Sequence, residues 1–241
     1  MHALIGEFLG TMTLIVFGDG VVANVVLRKT KGSGADWIVI ATGWGMAVMV
    51  AVFVATATGS PDGDINPAVT LAKWITGMHQ DPAMIAGYIV AQIAGGFAGG
   101  VLVWLAYLPH FRATPEKELK LAVFCTDPGI RSPFGNVLCE IVSTAIFLLC
   151  LGGIVATDNV SPGLLPFLVG GLVWAVGLSL GGPTGYAINP ARDLGPRLAH
   201  AALPIHGKGG CDWGYAWVPV VGPVIGAGIG GLLWYGLILL P

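Results

Sequence analysis

The sequence predicts an all-α membrane protein of six transmembrane helices and two re-entrant half-helices, arranged as an inverted repeat within a single domain over residues 1–241. Three observations predict this. The chain is 55% hydrophobic and only 10% charged, whereas a soluble domain carries about 25% charged residues. So few charges could not solvate a globular surface, so the chain reads as a multi-pass protein of the cell membrane. Its apolar residues fall into six long runs and two short ones. The two halves of the chain also resemble each other. The net charge of −2 gives no basic surface for nucleic acid or an anionic membrane face.

The long runs lie near 3–27, 36–58, 82–108, 135–157, 163–181 and 215–240, each long enough to cross a bilayer as a helix. The first follows Met1-His2 with no basic stretch and no small-residue cleavage site, so it reads as a retained span and not a removable leader. Polar breaks separate the runs: 28–34, 109–118 with a loop continuing to about 134, 157–163, and 206–212. Two further apolar stretches, 66–77 and 189–201, are too short to span. Each begins with the same tripeptide, Asn66-Pro67-Ala68 and Asn189-Pro190-Ala191. Asn suits a helix N-cap and Pro the first helical position. Each stretch therefore predicts a short helix starting abruptly within the membrane, where irregular backbone is tolerated only inside protein or along a wet cavity.

The repeat is visible in GEFLGT (6–11) against CEIVST (139–144), which matches Glu7 to Glu140 and Thr11 to Thr144. Further on, QIAGGFAGGVL (92–102) matches PVIGAGIGGLL (223–233), aligning Gly95, Gly99 and Gly100 with Gly226, Gly230 and Gly231. Halves of about 1–118 and 119–241 each hold three spans and one short helix. Three is odd, so the halves insert in opposite orientations, and paired broken helices in such a repeat point to the substrate path. The two short helices are expected to meet end to end near the midplane. Each N-terminus carries roughly half a positive charge, which repels cations and protons. The amides of Asn66 and Asn189 can donate to a passing water or hydroxyl. Glu7 and Glu140 are expected to accept backbone N–H groups from the loops leading into the short helices.

The paired Asn-Pro-Ala motifs, the run NPARD (189–193) and the repeated glutamates closely resemble the aquaporin superfamily, over essentially the whole chain. The resemblance implies a passive pore in each subunit of a homotetramer, with no cofactor and no metal. It also implies a constriction formed by Trp44, Gly177, Tyr186 and Arg192. Water-selective members place a histidine where Gly177 stands, so glycine implies a wider slot. Trp44 and Tyr186 would bury a carbon backbone while Arg192 and loop carbonyls bind hydroxyls, and Asp193 after the arginine resembles the glycerol branch and, with Asp64, is a candidate pore-mouth residue. The implied solutes are glycerol and water. Tyr186 stands where glycerol facilitators commonly have phenylalanine, which leaves open a channel chiefly for water or for a protonated hydroxy acid such as lactic acid.

Some residues depart from the pattern. Asp64 occupies the position before the first motif where the family usually has histidine, and two readings are open: a pore-mouth carboxylate that repels anions and makes permeation pH-sensitive, or a turn residue acting with Asp62. Arg192 has the alternative of a structural pair with Asp193. Asp19, near the end of the first span, either lines a vestibule or pairs with loop lysines. The basic residues cluster in the loops 28–34, 109–134 and 206–212. The resemblance puts these outside the cell, against the positive-inside rule. Cys125 and Cys211 lie in polar loops where a bridge could form. Intramembrane acids also raise a proton-coupled transporter, although the acids sit at scaffold positions. No catalytic triad, paired catalytic carboxylates or metalloprotease motif is present in the sequence, and its histidines are scattered, so no enzyme is expected.

Overall fold

The computed structural model describes residues 1–158, 160–161 and 163–240. Ten α-helices and no strand appear among them. In order they are α1 (His2–Val26), α2 (Trp37–Ala57), α3 (Pro67–Ile75), α4 (Pro82–Ala106), α5 (Leu108–Ala113), α6 (Lys117–Phe124), α7 (Pro133–Ala156), α8 (Leu165–Leu180), α9 (Pro190–Ala202) and α10 (Val218–Trp234), the last extended by a π-helical turn, Tyr235–Leu239. Five helices are long and apolar enough to cross a membrane, and the sixth predicted span, α8, is a shorter apolar helix of 16 residues. The break expected at 157–163 includes Asn159 and Pro162, which lie outside the described residues.

The helices start where the sequence supplies a cap and a proline. Asn66, Asp81 and Asn189 each accept a backbone N–H at the head of a helix whose first residue is Pro67, Pro82 or Pro190. Helix α3 stops at Gly77, whose φ of +76° is left-handed and suits a residue without a Cβ.

Glycine sets the distances between helices. Helix α4 lies parallel to α1, with Gly95 against the Phe8 carbonyl and Gly99 against the Met12 carbonyl. Helix α10 lies parallel to α7 in the same way, with Gly226 against the Ile141 carbonyl and Gly230 against the Ala145 carbonyl. The matched glycines of the two halves thus make the same close backbone approach, as small residues do between membrane helices. The second helices of the halves, α2 and α8, run antiparallel: Trp37 meets Gly177, while Gly45 and Met49 meet Gly170. That opposition is what inverted halves require. The half-helices are exchanged. Helix α3 packs on Gly231 of α10, and α9 packs on Gly96 and Gly100 of α4.

The loop expected from 109 to 134 contains α5 and α6, because its apolar residues find a core of their own. Phe111, Val123 and Phe124 are buried with Val103, Ala199, Leu203 and Ile205 in a cluster at one face of the molecule. The basic loops meet at this face. Arg28 pairs with Glu116, and Arg131 reaches Asp212 at 3.1 and 2.5 Å. Lys120 donates to the His206 carbonyl, and Lys208 to the last carbonyls of α9. Four of the basic residues counted as topological signals, Arg28, Lys120, Arg131 and Lys208, are therefore tied up in holding the loops together. Cys125 and Cys211 are both free thiols. Cys125 is buried, and the Cys211 sulfur lies 3.2 Å from His200 Nδ1.

Candidate functional site: a conduit between two opposed half-helices

Helices α3 and α9 meet head to head, and the two asparagines fasten them. Asn66 Oδ1 accepts from the Ala68 N–H at 2.8 Å, and Asn189 Oδ1 accepts from the Ala191 N–H at 3.0 Å and the Arg192 N–H at 3.2 Å. Each side-chain amide then donates across the junction, Asn66 Nδ2 to the Ile188 carbonyl at 3.0 Å and Asn189 Nδ2 to the Ile65 carbonyl at 2.9 Å. An amide nitrogen has two hydrogens. One is used in this tie, so a single N–H per asparagine is left for the cavity that both residues line.

The junction needs support, because Ile65 and Ile188 have φ of +46° and +42°. A left-handed conformation is costly for a β-branched residue. Both residues are held at their two polar groups. Their carbonyls accept from the opposing asparagine. Their N–H groups donate to Glu7 Oε2 at 2.7 Å and Glu140 Oε2 at 3.0 Å. Glu7 also accepts from Ser60 Oγ, the Asp64 N–H and Gln92 Nε2, and Glu140 from Thr184 Oγ1 and the Ala187 N–H. Both carboxylates are fully buried. Gln92 links Glu7 to Thr70.

A cavity of about 460 Å³ runs past this junction. At one end it is walled by Thr56, Asp62, Lys73 and Leu165, in the middle by Asn66 and Asn189, and at the other end by Trp44, Tyr186 and Arg192. Most of its remaining wall is aliphatic. The Arg192 guanidinium carbon sits 3.9 Å from the centre of the Trp44 ring, a cation–π contact. Gly177 is not in the cavity wall. The hydroxyl end of the Tyr186 ring is packed against it, and the ring meets Trp37 edge to face at a centroid distance of 5.8 Å. The space that glycine opens in α8 is therefore filled by tyrosine from the loop.

The acids fall differently from their sequence expectations. Asp193 is fully buried, outside the cavity wall, and paired with Arg197 and not with Arg192. Its Oδ2 also accepts from the Thr126 N–H at 2.8 Å and hydroxyl at 2.7 Å, fastening the outer loop onto α9. It therefore does not stand at a pore mouth. Arg197 continues this fastening to the carbonyls of Cys211, Asp212 and Thr126. Asp64 does adjoin the cavity, but its carboxylate is covered. Lys73 Nζ lies 2.5 Å from Oδ1, while Thr70 Oγ1 and His79 Nε2 each lie 2.8 Å from Oδ2. The carboxylate faces α3 and not the lumen. Neither sequence reading foresaw this, because Lys73 and His79, 9 and 15 positions further on, reach Asp64 only once α3 has formed. Asp19 pairs with Arg192, not with loop lysines.

Comparison with known proteins follows the same lines as the geometry. The family model described as Major intrinsic protein matches residues 1–234. The chain is 54% identical to a probable glycerol uptake facilitator protein of Thermotoga maritima, covering 97% of this chain and 98% of that one. It is 41% identical to a D/L-lactic acid transporter of Lactiplantibacillus plantarum, covering 98% of each. Among solved structures it matches the aquaglyceroporin from Plasmodium falciparum with a TM-score of 0.83 and 30% identity, covering 100% of this chain and 97% of that chain.

Proposed function

We propose, from the premise that this chain belongs to the major intrinsic protein family, that it is a passive channel of the cell membrane for glycerol and similar small neutral polyols, with water passing too. One observation carries the reading. The cavity passes between two opposed helix N-termini and reaches, at one end, an arginine stacked on an aromatic ring. Relatives named as glycerol uptake facilitators, 48–54% identical over nearly the full chain, support the polyol as solute.

The physics follows from the parts. The N-termini of α3 and α9 place two partial positive charges at the junction, which disfavours cations and protons. The remaining N–H of Asn66 and of Asn189 donates to the oxygen of a passing hydroxyl, so that its proton points away from the next acceptor and a proton wire is interrupted. Arg192 offers further donors at the constriction. Trp44, Tyr186 and the aliphatic wall accept the carbon side of the solute. Asn66, Pro67, Ala68, Asn189, Pro190 and Ala191 form the junction. Trp44, Tyr186 and Arg192 form the filter, with Gly177 holding Tyr186 in place. Glu7 and Glu140 shape the loops. The N-terminal face is cytoplasmic and the basic face is external. The assembly is a homotetramer with one conduit per subunit.

Stopped-flow light scattering on proteoliposomes tests the reading. Rapid, non-saturating glycerol entry that is lost in Arg192→Ala is expected; saturation or uphill accumulation would instead indicate a coupled transporter. A second reading has its own support in the relative named as a lactic acid transporter. The neutral acid has the same combination of hydroxyls and a short carbon chain. Uptake of lactic acid that rises as pH falls towards the acid's own pKa, without glycerol uptake, would favour it.

A further inference from the structure

Asp19 has no part in the mechanism so far. It lies on α1, inside the membrane, and is fully buried. Among the described residues its one hydrogen-bond partner is Arg192, whose Nη1 donates to Oδ1 across 3.4 Å. Its other oxygen, Oδ2, is buried and meets no donor. An acid at that depth is costly and needs a reason. The loop cations do not reach it, and the neighbouring pair is already complete, since Asp193 is satisfied by Arg197 and Thr126. Arg192 alone is left to account for Asp19.

A filter arginine has two separable effects. Its N–H groups bind oxygen atoms over short range, and its charge acts over long range in a low-dielectric passage. For a neutral solute only the first is useful. The second adds to the positive potential of the two half-helix N-termini and makes the passage attractive to small anions. A carboxylate placed behind the guanidinium turns a net charge into a dipole, whose field decays faster, while the N–H groups on the cavity side remain available. With Asp19 in place, the two buried pairs here, Asp19 with Arg192 and Asp193 with Arg197, each sum to zero.

We propose that Asp19 is the counter-charge of the constriction, a specificity-determining residue behind the wall that keeps small anions out of a conduit whose half-helices already keep cations out. This deepens the neutral-polyol reading and rests on it. The substrate class that follows is strictly uncharged: polyols and undissociated acids pass, and their anions do not.

Proteoliposomes loaded with wild type, Asp19→Asn, Arg192→Leu and the double variant decide this, with glycerol and nitrate as probes. Nitrate has no neutral form at working pH, so its flux reports the anion alone. Wild type is expected to pass glycerol and to admit nitrate no faster than protein-free vesicles. In Asp19→Asn, nitrate entry rises by about tenfold or more, the size expected of one uncompensated charge at a few ångströms, while glycerol entry drops about threefold because the guanidinium loses its rear contact. Adding Arg192→Leu to Asp19→Asn returns nitrate to background. Arg192→Leu alone removes the cation itself and should admit nitrate no faster than wild type, and Asp19→Ser is a second neutral replacement that serves where Asp19→Asn does not assemble. Nitrate flux equal to wild type in Asp19→Asn or in Asp19→Ser overturns the proposal. A wild type that fails to pass glycerol defeats the polyol reading instead, and the nitrate ratio between Asp19→Asn and wild type still reports on Asp19.

Discussion

Replacing Gly177 by alanine tests how the filter is built. A Cβ at this position would stand 2.8 Å from both Cζ and Oη of Tyr186 and 3.1 Å from Cε2. Carbon atoms in ordinary contact sit about 3.5 Å apart or more, so the ring must retreat by roughly 0.7 Å. It has little freedom to do so. Gly181 and Trp37 close two other sides, and the backbone of Tyr186 is left-handed, with a φ of +39°. The open direction is the cavity that Tyr186 lines together with Arg192. Overpacking of this kind costs about 1–3 kcal/mol, and here part of that cost appears as a narrower passage. Gly177→Ala should therefore slow glycerol at least about tenfold, equivalent to ~1.4 kcal/mol in the barrier, and slow water much less. Removing the ring as well, in Gly177→Ala with Tyr186→Ala, should restore glycerol entry. Stopped-flow glycerol and water fluxes on the single and double variants are the assay. Wild-type glycerol flux in Gly177→Ala would refute the reasoning, because the glycine would then be spacing the solute and not the tyrosine.

Other expectations concern the scaffold. Glu7→Gln should lower thermal stability in detergent by about 1–3 kcal/mol, since an amide nitrogen then faces some of the four donors that now meet the carboxylate. Lys73→Met leaves Asp64 buried without its ammonium partner and should cost about 3–5 kcal/mol; adding Asp64→Asn should recover most of this, measured by the same unfolding. Arg131→Ala removes an exposed pair with Asp212 and should change stability by no more than ~1 kcal/mol.

Spans, caps and repeat were legible in the sequence because each is a local property. A run of apolar residues long enough to cross a bilayer is helical wherever it sits, since lipid offers no other partner for its backbone. Asn-Pro-Ala marks a helix start through its own cap and its own fixed φ. The matched glycines at 95, 99, 226 and 230 were legible as a repeat, and the fold uses them for close parallel packing because only residues that small allow it. Glu7 and Glu140 were legible as loop acceptors because an acid inside an apolar run needs donors, and only irregular backbone nearby has them to spare. The helices α5 and α6 were not legible: their apolar residues are sparse in sequence and form a core only against α1, α4, α9 and the segment after α9.

What the sequence by itself determined, then, is which segments enter the membrane and where two of them stop halfway. Pairing among distant side chains was decided by the tertiary structure alone. Asp64 could be assigned neither to the lumen nor to a turn until α3 brought Lys73 and His79 to it. Arg192 has an adjacent acid in sequence, yet Asp193 turns to Arg197 at i+4 on the same helix, where helical geometry makes neighbours. The acid that does reach Arg192 is Asp19, 173 positions away. Gly177 widens α8 in sequence, but Tyr186 occupies the space in the fold. A buried charge or void must be filled by whatever group the packing brings within a few ångströms. For Asp19 and Arg192 that is set by how α1 and α9 cross, and for Asp64, Asp193 and Gly177 by how a single helix turns and how the loop beside it folds back.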